Sequence, residues 1–246
     1  MQFETDSNTY DRGRPEYPQK VVDCLSLVFP ILPNSTVLEL GVGTGKFTKL
    51  LLECGVRIIA LEPLENMRTK FSQIFPTIQI LDGVAESIPL PDNSVDHVIV
   101  AQAFHWFDGN GALREIHRVL KPKGNLGLVW NLQDRDHDWV EKLAQIVDAN
   151  DFGTPQYRKG EWRKSFSGLH LFSPLQEIHF QHSHPSTPEM VIDRVASISF
   201  ISMLDEMKRK EVLRQVRGLL ENHPDIREKT LIHFPYKTDV FFCHKV

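Results

Sequence analysis

Cysteine is scarce in this chain. Cys24, Cys54 and Cys243 are the only three in 246 residues, and no CxxC pair occurs. An odd, dispersed set excludes a disulfide framework and fits a reducing compartment, each thiol serving as a small core filler. A cationic excess is missing as well. With 28 Lys and Arg against 32 Asp and Glu the formal charge is -4, which argues against a general nucleic-acid binder, since that needs a basic face. The densest cationic run, "MKRKEVLRQVRG" (207–218), interleaves apolar residues at helical spacing and reads as the solvated face of an amphipathic helix. No segment approaches the ~20 apolar residues of a membrane span. The opening "MQFETDSNTYDRGRPEYPQK" lacks the apolar core of a signal peptide. The expectation is a cytoplasmic globular protein with neither nucleic acid nor membrane as partner. Its oligomeric state is left open.

Between residues 36 and 131 short apolar runs alternate with helical patterns. "TVLELG" (36–41), "VRIIALE" (56–62), "TIQILDG" (77–83), "VDHVIVAQA" (95–103) and "GNLGLVWN" (124–131) are rich in Val, Ile and Leu. Continuous apolar runs of this length suit strands buried on both faces, as in a parallel sheet. Helices are expected over 46–54, stopped by Gly55; over 64–75, before Pro76; and over 109–120, before "KPKG". Such alternation implies an α/β, doubly wound sheet that binds ligands at the carboxyl ends of its strands. Beyond Asn131 the pattern changes. An amphipathic helix is expected over 136–150, a strand over 173–185, helices over 188–204 and 205–221, and a closing strand in "LIHFPYKTDVFFCHKV". Pro235 there suggests an edge or bulge position. The simplest organisation is one domain (1–246). It comprises a ligand-binding core over 36–131, an N-terminal segment (1–35) and a helical embellishment over 132–222.

The turn after the first strand lacks one glycine of the dinucleotide fingerprint. G-x-G-x-x-G puts its third glycine under a pyrophosphate, and here that position is Lys46. What is present is E-x-G-x-G-x-G, from Glu39 through Gly41 and Gly43 to Gly45. Side chains at Gly41 or Gly43 are expected to intrude on a ligand passing close to the backbone. Glu39 places a carboxylate beside the turn, which suits an ammonium group and repels a phosphate. About 20 residues on, Glu62 ends the second strand at the distance where a carboxylate meets ribose hydroxyls. It reads either as that group or as an N-terminal carboxylate of the helix over 64–75. Together these residues suit an adenosyl ligand bearing an amino acid.

"VLELGVGTGKFT", Glu62, "GVAESIPLPDNSVDHVIVAQAFHWF" and "ALREIHRVLKPKGNLGLVW", in this order, resemble the class I S-adenosylmethionine-dependent methyltransferases of the type-11 group. "YDRGRPEYP" (10–18) and "FPYKTDVFFCHK" extend the resemblance to the branch of trans-aconitate methyltransferase and related small-molecule enzymes. It implies a Rossmann-like sheet of about seven strands, mostly parallel with an antiparallel C-terminal strand, plus a small helical cap. S-adenosylmethionine is the cofactor it implies. Glu39, Gly41, Gly43 and Gly45 match the cradle of the methionine portion and Glu62 the ribose acid. Pro63 and Met67 fall near the adenine face, and Gly83 to Glu86 match the adenine-edge loop. Val84 stands where many relatives have Asp, which leaves the Ala85 backbone and Glu86 as candidates there. Gln102 and Ala103 match the loop beneath the sulfonium.

A sulfonium methyl is already activated, so alignment and exclusion of water can carry much of the rate, and no acid–base triad is evident. "AQAFHWF" (101–107) follows the fourth strand where the methyl would project. His105 reads as a proton-transfer group, a pocket-lining residue or a routine hydrogen-bonding one, with Trp106 beside it as a second catalytic candidate. Tyr10 and Arg14 read either as part of a lid over the cofactor or as residues of a turn set by Pro15 and Pro18. Trp130, Asn131, Trp139, Trp162 and Arg163 can line an acceptor pocket or pack the core. "HFQHSHP" contains metal-ligating types, but strand alternation separates His179 from His182 and His184, so no metal is expected. The reaction implied is methyl transfer to a small-molecule oxygen or thiol. A protein methyltransferase and a non-catalytic cofactor-binding module are the alternatives.

Overall fold

A computed structural model describes residues 15–29 and 31–246. Tyr10 and Arg14 lie outside the described residues. The first helix, α1 (Lys20–Val28), precedes β1 (Thr36–Leu40), α2 (Lys46–Leu52), β2 (Arg57–Leu61), α3 (Glu65–Ile74) and β3 (Gln79–Leu81). β4 (Val95–Ala101), α4 (Gly109–Val119) and β5 (Leu120–Gln133) follow, then α5 (Asp138–Asp148), β6 (Gln176–Ser186), α6 (Pro188–Ala196), α7 (Ser199–Ser202), α8 (Glu206–Asn222) and β7 (Ile232–His244).

The seven strands form one sheet in the order β3-β2-β1-β4-β5-β7-β6. β1 pairs in parallel with β2 and β4, β2 with β3, and β4 with β5. β7 runs the other way. As β5 advances from Gly124 to Asp134, its partners retreat from Lys245 to Pro235, and Phe172 meets Lys245 in an antiparallel bridge on the β6 side. The order reverses at β1 and β4, whose helical connections diverge, so the carboxyl ends of these strands open a crevice. The sheet expected from the sequence is present, with one antiparallel strand.

Three local expectations are corrected. Pro235 is not on an edge, because β7 sits between β5 and β6; its carbonyl accepts the Asp134 N–H, and a carbonyl is what proline retains. "KPKG" does not separate α4 from a strand at 124. β5 begins at Leu120, and a register irregularity between Val95 and His97 absorbs the extra residues, with Lys121 bonding Asp96 at 2.8 Å. The helix expected over 188–204 breaks after Ala196, where the Ser197 hydroxyl donates to the Arg194 carbonyl, a local bond that competes with helix continuation.

The chain forms two compact units. The larger comprises Tyr17–Asn131, Pro155–Phe180 and Thr238–Val246. Its main core gathers Val21, Leu25 and Phe29 of α1, Phe47 and Leu51 of α2, and the strand residues Val37, Ile58, Ile99 and Val129. The smaller unit includes Leu132–Thr154 and Gln181–Lys237. There Trp139 and Leu143 of α5, Val195 of α6, Val216 of α8 and Phe234 of β7 pack together, with the Trp139 and Phe234 rings 4.7 Å apart. Trp139 is thus a core residue of that unit and does not line a pocket. Among the described residues no helix is long and apolar enough to cross a membrane.

Phe71 of α3 is fully buried against Val42 and Ala60. Phe71→Ala is expected to lower the unfolding free energy by about 3–5 kcal/mol. Leu27→Ala, at a position on α1 that is 87 % exposed, should change it by less than about 0.5 kcal/mol. Denaturant titration of both variants measures the difference.

Candidate functional site

The glycine turn between β1 and α2 is shaped by three residues with three different duties. All have positive φ: 68° at Gly41, 54° at Gly43 and 87° at Gly45. A Cβ on Gly41 would stand 2.7 Å from the Ala103 Cβ, and one on Gly45 would stand 2.3 Å from the Phe75 ring. Those two glycines are required by protein packing. At Gly43 a Cβ would meet nothing within 4 Å. At Gly43 the missing side chain leaves open space, whereas at Gly41 it also keeps the turn clear of Ala103.

Glu62 holds this turn in place. Its Oε2 accepts the Gly43 N–H at 3.0 Å and its Oε1 accepts the Leu64 N–H at 3.0 Å. One carboxylate thus joins the loop after β1 to the loop after β2. The group is 5 % exposed. Burial pushes its carboxyl above the ordinary range, while the two N–H donors and the Arg68 charge oppose that shift. Each oxygen has a second lone-pair direction, so the pair can still accept the two hydroxyls of a vicinal diol. Both readings of Glu62 have substance, since Leu64 is also the residue that opens α3.

Glu39 lies deeper than a group presented to a ligand. It is 1 % exposed, and its Oε2 accepts the Thr48 hydroxyl at 2.6 Å. Burial pushes its carboxyl up to about 8, with the Thr48 hydrogen bond opposing the shift. In the free protein Glu39 secures the first turn of α2 to β1, a role that Thr48 could not announce in sequence.

The remaining candidates divide. Pro63 is exposed and Met67 buried one turn into α3; the Pro63 carbonyl accepts from Arg68 at 2.6 Å, and Arg68 also pairs with Asp82. Ala85 is buried. The Glu86 carboxylate accepts the Asp108 N–H at 2.7 Å, so its side chain is engaged at the start of α4. Gln102 has φ 59°, a conformation that costs energy for a residue with a side chain. Its amide compensates by donating to the Asn131 carbonyl at 2.6 Å, and the Asn131 side chain accepts from Thr238 at 3.1 Å. Gln102, Asn131 and Thr238 thereby link the end of β4 to β5 and to the middle of β7.

Behind this link lies an aromatic cluster. Trp130 is fully buried and its Nε1–H donates to Nδ1 of His105 at 3.1 Å. Accepting at Nδ1 sets the neutral imidazole as the tautomer with its proton on Nε2. Trp106 is 42 % exposed. Sequence reading missed two residues here, Tyr157 and Asp239. Tyr157, 4.8 Å from Trp130 between ring centroids, donates its hydroxyl to Oδ2 of Asp239 at 2.5 Å, and Oδ1 of Asp239 lies 2.7 Å from Nδ1 of His179. Burial and the adjacent Asp239 carboxylate raise the Tyr157 hydroxyl above its ordinary range. A charged residue within the apolar run of β7 was the available signal. His182 instead stacks on Tyr236 within the smaller unit. Among the described residues no group of three or more His, Cys, Asp or Glu is placed to hold a metal ion.

The unfolded chain releases the Glu39 proton near 4.5, whereas the folded protein holds it to about 8. This group's stabilising contribution is therefore full below pH 4.5 and declines as pH rises to about 8, by a few kcal/mol in order of magnitude. Glu39→Gln should flatten that slope in unfolding free energies measured across the interval without ligand; an unchanged slope would exclude Glu39 as its source.

Known proteins match this chain along its length. The type-11 family profile, described as a methyltransferase domain, matches residues 38–128. An "Uncharacterized methyltransferase-like" protein of Schizosaccharomyces pombe is 36% identical over 99% of this chain and 95% of its own length. An "Uncharacterized methyltransferase" of Mycobacterium tuberculosis is 38% identical over 97% and 93%. Among solved structures, Haemonchus contortus phosphoethanolamine N-methyltransferase 2, in complex with phosphomonomethylethanolamine and S-adenosylhomocysteine, shares the fold. Its TM-score is 0.57 at 14% identity, covering 97% of this chain and 56% of that one. Sheet order, glycine turn and full-length relatives agree: the chain belongs to the class I S-adenosylmethionine-dependent methyltransferases of the type-11 group.

Proposed function

We propose that the acceptor is a small molecule carrying a carboxylate, another oxygen or a thiol, and that the transfer is an in-line displacement. The observation that carries the cofactor half of this reading is the Glu62 clamp, which fixes the turn while leaving space at Gly43. In this assignment Glu62 takes the ribose hydroxyls and the turn from Glu39 to Gly45 cradles the methionine portion. Pro63, Met67, Ala85 and the loop at Glu86 border the adenine, Gln102 and Ala103 floor the sulfonium, and Tyr10 and Arg14 belong to an N-terminal lid. Bound S-adenosylmethionine supplies a methyl already activated on a positively charged sulfur.

The chain's own task is then to align the acceptor and exclude water. The acceptor's oxygen or sulfur gains the methyl as the bond to the cofactor's sulfur breaks. His105 carries its proton on Nε2 while Trp130 donates to Nδ1, so it is set to donate or to line the pocket and is not poised as a base. That favours an acceptor that attacks without losing a proton, as a carboxylate or thiolate does. The net charge of -4 supports a small acceptor over a nucleic acid. The three cysteines stand unpaired, which supports the expected cytoplasmic setting.

Calorimetry tests the cofactor assignment. Wild-type protein should bind S-adenosylhomocysteine, with affinity reduced on the order of 100-fold in Glu62→Ala, where a buried acceptor for two N–H groups and two hydroxyls is lost. Gly43→Ala should likewise weaken binding; NAD binding as tight as S-adenosylhomocysteine would contradict the assignment. For the acceptor, methyl-labelled S-adenosylmethionine is incubated with a cell extract split into small-metabolite and macromolecular fractions. Label should enter the small-metabolite fraction. Label confined to protein or RNA would reject this acceptor class, and no transfer despite tight cofactor binding would indicate a binding module.

A further inference from the structure

The ladder between β2 and β3 ends where the Glu62 N–H donates to the Leu81 carbonyl at 3.1 Å. Strand pairing goes no further, and beyond it Arg68 of α3 reaches across. Its Nη1 donates to the Glu62 carbonyl at 3.0 Å and to the Pro63 carbonyl at 2.6 Å, and it pairs with Oδ1 of Asp82 at 2.9 Å. A single guanidinium nitrogen thus joins the residues just after β2 to the residue before Gly83. The Arg68 side chain is 19 % exposed and that of Asp82 72 %. An ion pair with so exposed a partner adds little to stability; what it fixes is position. The loop that follows, Gly83 to Glu86, is poor in side chains able to read a ligand. Val84 is apolar, Ala85 is buried, and the Glu86 carboxylate accepts the Asp108 N–H at 2.7 Å. The Ser87 N–H donates to the Val84 carbonyl at 3.1 Å, which turns the loop back on itself. Its far end is held where the Ile88 N–H donates to Glu115 at 2.9 Å. Its near end is held by Arg68.

We propose that Arg68 is a positioning residue for the cofactor's adenine: by tying the Glu62 and Pro63 carbonyls to Asp82, it sets the distance from the ribose carboxylate to the Gly83–Glu86 backbone, and with it the preference for adenine over another purine. The inference rests on the assignment above, in which Glu62 takes the ribose and this loop borders the adenine. Adenine presents an amino group that donates beside a ring nitrogen that accepts. Hypoxanthine presents a carbonyl that accepts beside a ring N–H that donates. A backbone edge pairs with one of these patterns and opposes the other, provided that it stands within hydrogen-bond range, and that range is narrow. With no side chain to adapt, discrimination follows the placement of the backbone. Arg68 acts on the base only through the two segments it joins.

The test uses the full-length protein and calorimetry with S-adenosylhomocysteine and S-inosylhomocysteine, its hypoxanthine counterpart. Wild type should prefer the adenine ligand by on the order of 100-fold. Arg68→Leu and Asp82→Ala should each lower that ratio about tenfold by weakening S-adenosylhomocysteine, with S-inosylhomocysteine affinity within about threefold of wild type. The double variant should lose little more than either single one, because both remove the same tie. Asp82→Ala, at an exposed position, guards against a folding defect at Arg68, and its thermal midpoint without ligand should match wild type. An unchanged ratio in Asp82→Ala, or an equal loss of both ligands, would overturn the inference and leave the cofactor assignment standing. Wild-type protein that binds the two ligands equally would overturn the placement of adenine at this loop, and the inference with it.

Discussion

One carboxylate organises the cofactor side of this enzyme. Glu62 bridges two backbone N–H groups, Gly43 from the turn after β1 and Leu64 from the loop after β2, each at 3.0 Å. Besides it, the turn after β1 is tied to β2 by the Gly41 and Val42 N–H groups, which both reach the Leu61 carbonyl. With it, the Gly43 N–H is bound to the carboxylate and the turn is held at a fixed place. The same side chain keeps acceptor capacity for a second pair of donors. Burial of the charge is tolerated because two donors and the nearby Arg68 offset it. Loop alignment and, in the proposed assignment, cofactor recognition then rest on the same carboxylate.

Much of this was legible because it is local. The apolar runs from 36 to 131 gave the parallel strands, since a run buried on both faces has few other uses, and Gly55 marks the stop of α2 as its positive φ of 66° requires. Gly43 and Glu62 were found by spacing. What escaped was fixed by partners distant in sequence. Tyr157 and Asp239 are 82 residues apart and His179 and Asp239 are 60 apart, and no pattern along the chain announces such a meeting. Glu39 was read as a carboxylate beside the turn, but its depth was not legible, because depth below a turn depends on the helix that covers it. Glu86 was noted as a site candidate, yet its carboxylate bonds the Asp108 N–H. Pro235 misled for a related reason. A proline forbids only donation, and its place in the sheet depends on which strand needs its carbonyl.

Two parts of the larger unit are built on different chemistry. Around the glycine turn the decisive atoms are backbone N–H groups and carboxylates, whose positions follow from turn geometry. Around Trp130 they are ring edges: Trp130, Tyr157, Trp162 and Phe241 pack against one another. The first kind of site accommodates few substitutions, since every glycine in it answers to a neighbour or to open space. The second can change shape by exchanging one ring for another while the sheet stays as it is. That contrast explains why the cofactor could be read from a motif and the acceptor could not.

The place of β7 bears on how the protein is made. β7 is an interior strand between β5 and β6, although it follows both in the chain. A ribosome delivers residues in order, so the outer edge of β5 and the inner edge of β6 stay unpaired until residues 232–244 have emerged. During that interval the nascent chain carries two open sheet edges, one of them within the apolar stretch around Trp130 that is fully buried later. Open edges recruit foreign strands. The arrangement therefore sets the emergence of β7, rather than of β1 to β5 alone, as the moment when the sheet can close.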